Sequence, residues 1–147
     1  MDKKMEEFIL GILGDHRILT LATIREDGFP QANTVSYAND GLTVYFITDP
    51  SSSKVKNIKY SNKVSLTVDR DYMDWSKIKG LSMGATAEIL TNPEEIEKAV
   101  GLLMQKFPAL QEMPESEEPH AVVKIIPKII SVLNYKLGFA HTDLIEV

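Results

Sequence analysis

The sequence predicts a mainly β chain: an antiparallel barrel, closed or nearly closed, that carries a few short helices. Three observations predict this class. About seven segments of strand length are apolar or alternating and are separated by turns bearing glycine or asparagine. The helical stretches are few and short, at the N-terminus, after Pro50 and after Asn92. Regular strand-helix alternation, which builds parallel sheets, is missing.

Residues 1–14 place Met5, Phe8, Ile9, Ile12 and Leu13 at helical spacing, an amphipathic helix that covers something larger, and Gly14 ends it. From Ile18 to Ile24 the period becomes that of an apolar strand. Arg25-Glu26-Asp27-Gly28 then supplies a turn whose glycine takes the awkward dihedral. Gln31 to Ala38 reads as the returning strand, Asn39-Asp40-Gly41 as a second turn, and Leu42 to Thr48 as a strand rich in β-branched and aromatic residues. These three predict a meander. Asp49-Pro50-Ser51-Ser52-Ser53 breaks the period, and Val55 and Ile58 mark a short helix to about Tyr60. Lys63 to Asp69 alternates Val64, Leu66 and Val68 against Ser65, Thr67 and Asp69, as a half-buried strand does. Ile78 to Leu90 is a longer strand in which Gly80 and Gly84 predict a bulge or a close backbone approach.

Asn92-Pro93-Glu94-Glu95 combines a cap residue, a proline in the first helical position and a glutamate three after the cap, starting a helix to about Phe107. Gln111 to Pro119, with Glu112, Glu115, Glu117 and Glu118, reads as a solvated acidic loop. Ala121 to Ile126 and Lys128 to Tyr135 are the last two strands, either side of Pro127. The 147 residues therefore read as one domain with a helix over 1–14, core strands within 18–90, a helix over 92–107 and final strands within 121–135.

Composition narrows the chemistry. The chain has no cysteine, which removes thiolate nucleophiles, iron-sulfur clusters, Cys-ligated zinc and disulfides. Sixteen Lys+Arg against 21 Asp+Glu give a net charge of −5, so neither nucleic acid nor an anionic membrane is an expected partner. The apolar run Phe8 to Gly14 is too short and wrongly flanked for a signal peptide or spanning helix, so a cytoplasmic protein is expected. Three scattered histidines without paired spacing predict no catalytic metal. His16 and His120 read as surface residues beside charged turns, and Trp75 as a core or interface aromatic. His141, with Asp143, is either a proton donor at a cofactor edge or part of a polar tail.

One segment suggests an anion site. Phosphate cradles need backbone N–H donors at a helix start and a nearby cation. Thr48-Asp-Pro-Ser-Ser-Ser-Lys54 has that composition, and between Pro50 and Val68 there are four lysines and no acid. A serine-capped helix with a solvated lysine face has the same composition, and Lys56 and Lys59 fit that plainer description. Lys54 differs, because a cation in the first turn opposes the helix dipole unless an anion is bound there.

From Ile18 through Asp69 the chain resembles the pyridoxamine 5'-phosphate oxidase-like family of FMN-binding split barrels. The likeness lies in Leu19-Thr-Leu-Ala-Thr23, Gly28-Phe-Pro30, Leu42 to Thr48, Ser53-Lys54-Val55-Lys-Asn57-Ile58 and Asn62-Lys-Val64-Ser-Leu66, in that order and spacing. The resemblance implies a split β-barrel in which Thr48, Ser52, Ser53 and Lys54 hold the FMN phosphate and Asn33, Thr34, Val35 and Ile47 touch the ring. Lys79 corresponds to a position that reaches flavin from the partner across a homodimer, so two-subunit pockets are implied. Many relatives carry arginine at the places of Asn33 and Ser53, so two guanidinium contacts are missing. The terminal Arg- and His-containing signature of the true oxidases is also missing, since no arginine follows Arg70.

The function so implied is a flavin-dependent oxidoreductase acting on a small molecule other than pyridoxamine phosphate. The alternative is a barrel that binds or senses a flavin, a deazaflavin or haem without robust turnover, with His141 as the haem ligand to suspect. A barrel that has lost its cofactor is the third possibility, and fold alone does not decide among them.

Overall fold

The computed structural model describes residues 1–114 and 119–147; Glu115, Glu117 and Glu118 of the expected acidic loop lie outside the described residues. Helix α1 (Lys3–Asp15) starts at Asp2, whose carboxylate accepts from Met5 N at 2.8 Å, and it buries Ile9, Ile12 and Leu13. Strands β1 (Ile18–Ile24) and β2 (Pro30–Ser36) form a hairpin, with Gly28 of its turn at φ +89°, in the left-handed region.

The expected strand from Gln31 to Ala38 is interrupted at Tyr37. It divides into β2 and a short β3 (Ala38–Asp40) that pairs with β4 (Thr43–Thr48). Strand β2 does not pair with β4, so the predicted three-strand meander does not form. Tyr37 supplies the reason: it is fully buried, and its hydroxyl donates to Leu13 O at 2.7 Å, so the chain turns there to seat the ring beneath the end of α1.

Helix α2 (Ser53–Tyr60), strand β5 (Lys63–Val68), strand β6 (Lys79–Ile89) and helix α3 (Pro93–Lys106) follow close to their predicted places. The bulge expected in β6 occurs at Gly84/Ala85, and a Cβ on Gly80 would stand 3.0 Å from Val68 O, the close approach. The two predicted final strands are one, β7 (Ala121–Asn134), with Pro127 inside it. Pro127 faces Ala85 at the register shift, where the ladder is already irregular, so its missing N–H does not break the strand. The C-terminal residues are not a tail: β8 (Thr142–Glu146) pairs with β7.

All pairings are antiparallel, and the sheet runs β2-β1-β5-β6-β7-β4-β3 with β8 beside β7. Its end strands, β2 and β3, are consecutive in sequence with Tyr37 alone between them, so the sheet must curl until its ends meet. This is a split barrel. Its core joins Ile9, Ile12 and Leu13 of α1 to Leu21, Phe46, Leu66, Met83 and Ile125 of the strands.

His16 is not a surface residue: it is 4% exposed, with Nδ1 donating to Ile12 O at 2.8 Å and Nε2 accepting from Arg70 Nε at 3.1 Å. Helix α3 lies outside the barrel. Its Glu95 does not close the expected capping box but binds Lys124 Nζ at 2.7 Å and accepts from Tyr45 Oη at 3.2 Å, tying the helix to β7 and β4.

Candidate functional site

Thr48 ends β4 and the chain turns through Asp49 to Ser52 before α2 begins. The turn is held by its own side chains: Asp49 Oδ1 accepts from Ser51 N at 2.8 Å and Ser51 Oγ at 2.7 Å. Backbone and side-chain bonds from Ser51 hold the Asp49 carboxyl below its ordinary range. Ser52 is the cap of α2, accepting from Val55 N at 3.5 Å, and its Oγ also accepts from Thr48 Oγ1 at 3.3 Å. Ser53 Oγ accepts from Gln31 Nε2 at 3.2 Å, while Gln31 Oε1 and Thr23 Oγ1 each accept from Asn57 Nδ2 at 3.0 Å. This network fixes the start of α2 against β1 and β2.

Lys54 is half-buried in the first turn of α2, which contains no acid, and it draws no ion pair among the described residues. Lys56 and Lys59 are exposed on the other face. Lys54 lines a cavity of about 460 Å³ together with Thr48, Ile47, Thr34, Val35 and Ser36, so strands β2 and β4 and the start of α2 converge on one space. Five of the predicted site residues meet there. Ser52 and Ser53 support its edge through the hydrogen bonds above. Asn33 stands next to Thr34 on β2, and its Oδ1 is buried without a hydrogen-bond partner. A buried acceptor left unpaired is costly, but Asn33 is not among the residues that line the cavity.

The far wall was not legible in sequence. Leu103 and Phe107 of α3, with Ala109, Leu110 and Met113 beyond it, complete the cavity. The start of the expected acidic loop is a 3-10 turn (Pro108–Glu112) whose Ala109 and Leu110 border the cavity although both are exposed. Arg17 lies over the Phe107 ring at 4.8 Å and helps to hold it.

Two predicted residues lie elsewhere. Lys79, at the start of β6, is 5.9 Å from the Phe8 ring centroid and does not line this cavity. His141 lies before β8, 3.1 Å from Asp143 Oδ2, also away from it. Trp75 is 64% exposed and stacks on Phe139, centroids 6.3 Å apart, on the outside of the chain. Among the described residues no group of three or more histidines and carboxylates could hold a metal ion, and no helix is long and apolar enough to cross a membrane.

The sequence model of the pyridoxamine 5'-phosphate oxidase family matches residues 1–133. No curated protein matches the chain. Among solved structures, a putative pyridoxamine 5'-phosphate oxidase from Listeria innocua is 23% identical over 88% of this chain and 98% of its own, with a TM-score of 0.73. A haem-binding protein from Mycobacterium smegmatis is 15% identical over 99% of this chain and 59% of its own, TM-score 0.81. A haem storage protein from Vibrio cholerae is 15% identical over 84% and 89%, TM-score 0.71. At these identities the structural likenesses carry the fold alone.

Proposed function

Given that the chain belongs to the pyridoxamine 5'-phosphate oxidase family, we propose that it is an FMN-binding oxidoreductase acting on a small molecule other than pyridoxamine phosphate. One observation carries the reading: Thr34, Val35, Ile47, Thr48 and Lys54 line a single cavity beside the start of α2. Lys54 supplies a cation in a helix turn that has no acid, and the Thr48 hydroxyl, which donates to Ser52 Oγ, would turn to a phosphate bound there. Val35, Ile47, Leu103 and Phe107 are apolar enough to exclude water from a flat ring. When bound, FMN supplies the hydride or electron transfer. The chain then binds, orients and shields, and no strong acid or base is required of it.

A homodimer completes this reading. Lys79 lies off the cavity of its own chain, and the Trp75-Phe139 stack beside β6 and β8 is an exposed apolar face of the kind a second copy covers. The haem-handling neighbours favour a second reading, haem bound on the same barrel. His141 does not line the cavity, which weighs against it as the ligand.

The absorption spectrum of the purified protein separates these readings. Flavin bands, or saturable FMN binding by colourless protein, support the first, and a Soret band supports the second. A protein that binds neither overturns both. Pyridoxamine phosphate is expected not to be turned over at a useful rate by FMN-loaded protein, because no arginine follows Arg70 to grip that substrate. Robust oxidation of it would sink this claim.

A further inference from the structure

A second cavity, of about 670 Å³, adjoins the first and shares Ile47, Thr48, Leu110 and Met113 with it. Its floor is Ile47 of β4 and Val122 of β7. Its wall is a stripe of α3, Ile96, Val100 and Met104, spaced four residues apart and therefore on one helix face. Among the described residues, Asp49 and His120 are the ionisable side chains in its lining, which contains no lysine or arginine. Asp49 Oδ1 accepts both hydrogen bonds from Ser51, and Asp49 Oδ2 and the His120 ring, both on exposed residues, are the polar groups this lining offers among the described residues.

The two cavities therefore differ in charge. The first has Lys54 and suits an anion; the second has a carboxylate and, among the described residues, no fixed cation, so a phosphorylated or carboxylated molecule entering it meets a like charge and no partner. Its two methionines can repack around ligands of varied outline. We propose that the second cavity is the substrate pocket, taking an uncharged, flat, largely apolar carbonyl compound of the quinone class whose oxygen hydrogen-bonds His120. The assignment rests on the flavin reading of the first cavity, whose shared wall then brings that compound beside the cofactor.

Menadione is the probe, measured by equilibrium dialysis against FMN-loaded and FMN-free protein, with a sulfonated naphthoquinone as its anionic counterpart. Menadione is expected to bind saturably, and the sulfonate at least about tenfold more weakly because its charge finds no partner. Val100→Phe fills the cavity and is expected to weaken menadione binding about tenfold or more, with FMN affinity changed by less than about twofold. Met104→Phe, which replaces a flexible half-buried side chain, makes the same test if the first variant does not fold. Unchanged menadione affinity in a folded cavity-filling variant, equal binding of the sulfonate, or no saturable binding by the parent overturns the proposal. Menadione binding that depends on Val100 in a protein that does not bind FMN supports the pocket and overturns the flavin reading, so the two failures are distinct.

Discussion

Lys54 carries the phosphate reading, because a cation in the first turn of α2 opposes the helix dipole and is otherwise a poor choice there. Replacing it by alanine is expected to cost about 1.5–3 kcal/mol of FMN binding, roughly ten- to hundredfold. Lys59→Ala, on the exposed face, should change affinity by less than about twofold. Titration of both variants with FMN makes the comparison, and equal affinity of Lys54→Ala and the parent would show the serine-lysine turn to be only a helix cap. His16 is the other residue whose chemistry is set by its place. Burial is the main cause that holds it below its ordinary value of 6.5; Arg70 and Lys79 add to this, while the Ile12 carbonyl and Asp15 oppose it. The neutral ring suits the fold, since a proton on Nε2 would face the Arg70 N–H. The unfolded chain takes up that proton near 6.5 and the folded chain resists it, so this part of the stability is present above 6.5 and lost as pH falls below it. Urea unfolding at about pH 7.5 and about pH 5.5 should show a larger fall for the parent than for His16→Asn, which has no ring to protonate. Equal falls would refute the role assigned to His16.

At the scale of elements, α3 matters most, because it walls both cavities. Asn92 Oδ1 accepts from Glu94 N at 2.9 Å and Glu95 N at 3.2 Å, so Asn92→Ala leaves two backbone donors without their side-chain partner. A loss of about 1 kcal/mol in urea unfolding is expected, and an unchanged midpoint would show that packing alone starts this helix. The elements legible in sequence were those written in local signals: the cap and proline of α3, the clean alternation of β5 with Val64, Leu66 and Val68 buried, and the serines leading into α2. What was missed depends on distant partners. Tyr37 divides β2 from β3 because of Leu13, and Pro127 remains inside β7 because of a bulge opposite it at Gly84/Ala85. His16 is buried because Arg70, 54 residues away, covers it. The cavity followed the same rule. Its strand and α2 residues lie in short motifs, whereas Leu103, Phe107, Leu110 and Met113 enter only through the way α3 crosses the barrel. Strand β8 alternates weakly and is short, so its pairing with β7 gives it a form that its sequence does not announce.

For the whole molecule, the exposed apolar side chains Trp75, Leu137, Phe139 and Leu144 are where a second copy is proposed to dock. These side chains are 64%, 64%, 79% and 68% exposed, and the aromatic pair is ordered by stacking although little of the chain covers it. Tyr135 meets Phe139 edge to face at 5.5 Å, so Trp75, Phe139 and Tyr135 form one aromatic cluster. Large exposed apolar patches mark interaction surfaces, and a second copy would cover this one symmetrically without requiring a new partner. The parent is therefore expected to sediment as a dimer at about micromolar concentration, where an interface of ordinary size holds two copies together. Phe139→Glu places a charge on this cluster, and because the side chain is mostly exposed its removal takes little from the core. That variant should remain folded by circular dichroism and sediment as a monomer. If the partner's face completes the cofactor cavity, its FMN affinity should fall as well, although Phe139 does not line that cavity in its own chain. A monomeric variant that binds FMN as tightly as the parent would confine the cofactor to one chain, and a monomeric parent would remove the two-subunit pocket altogether.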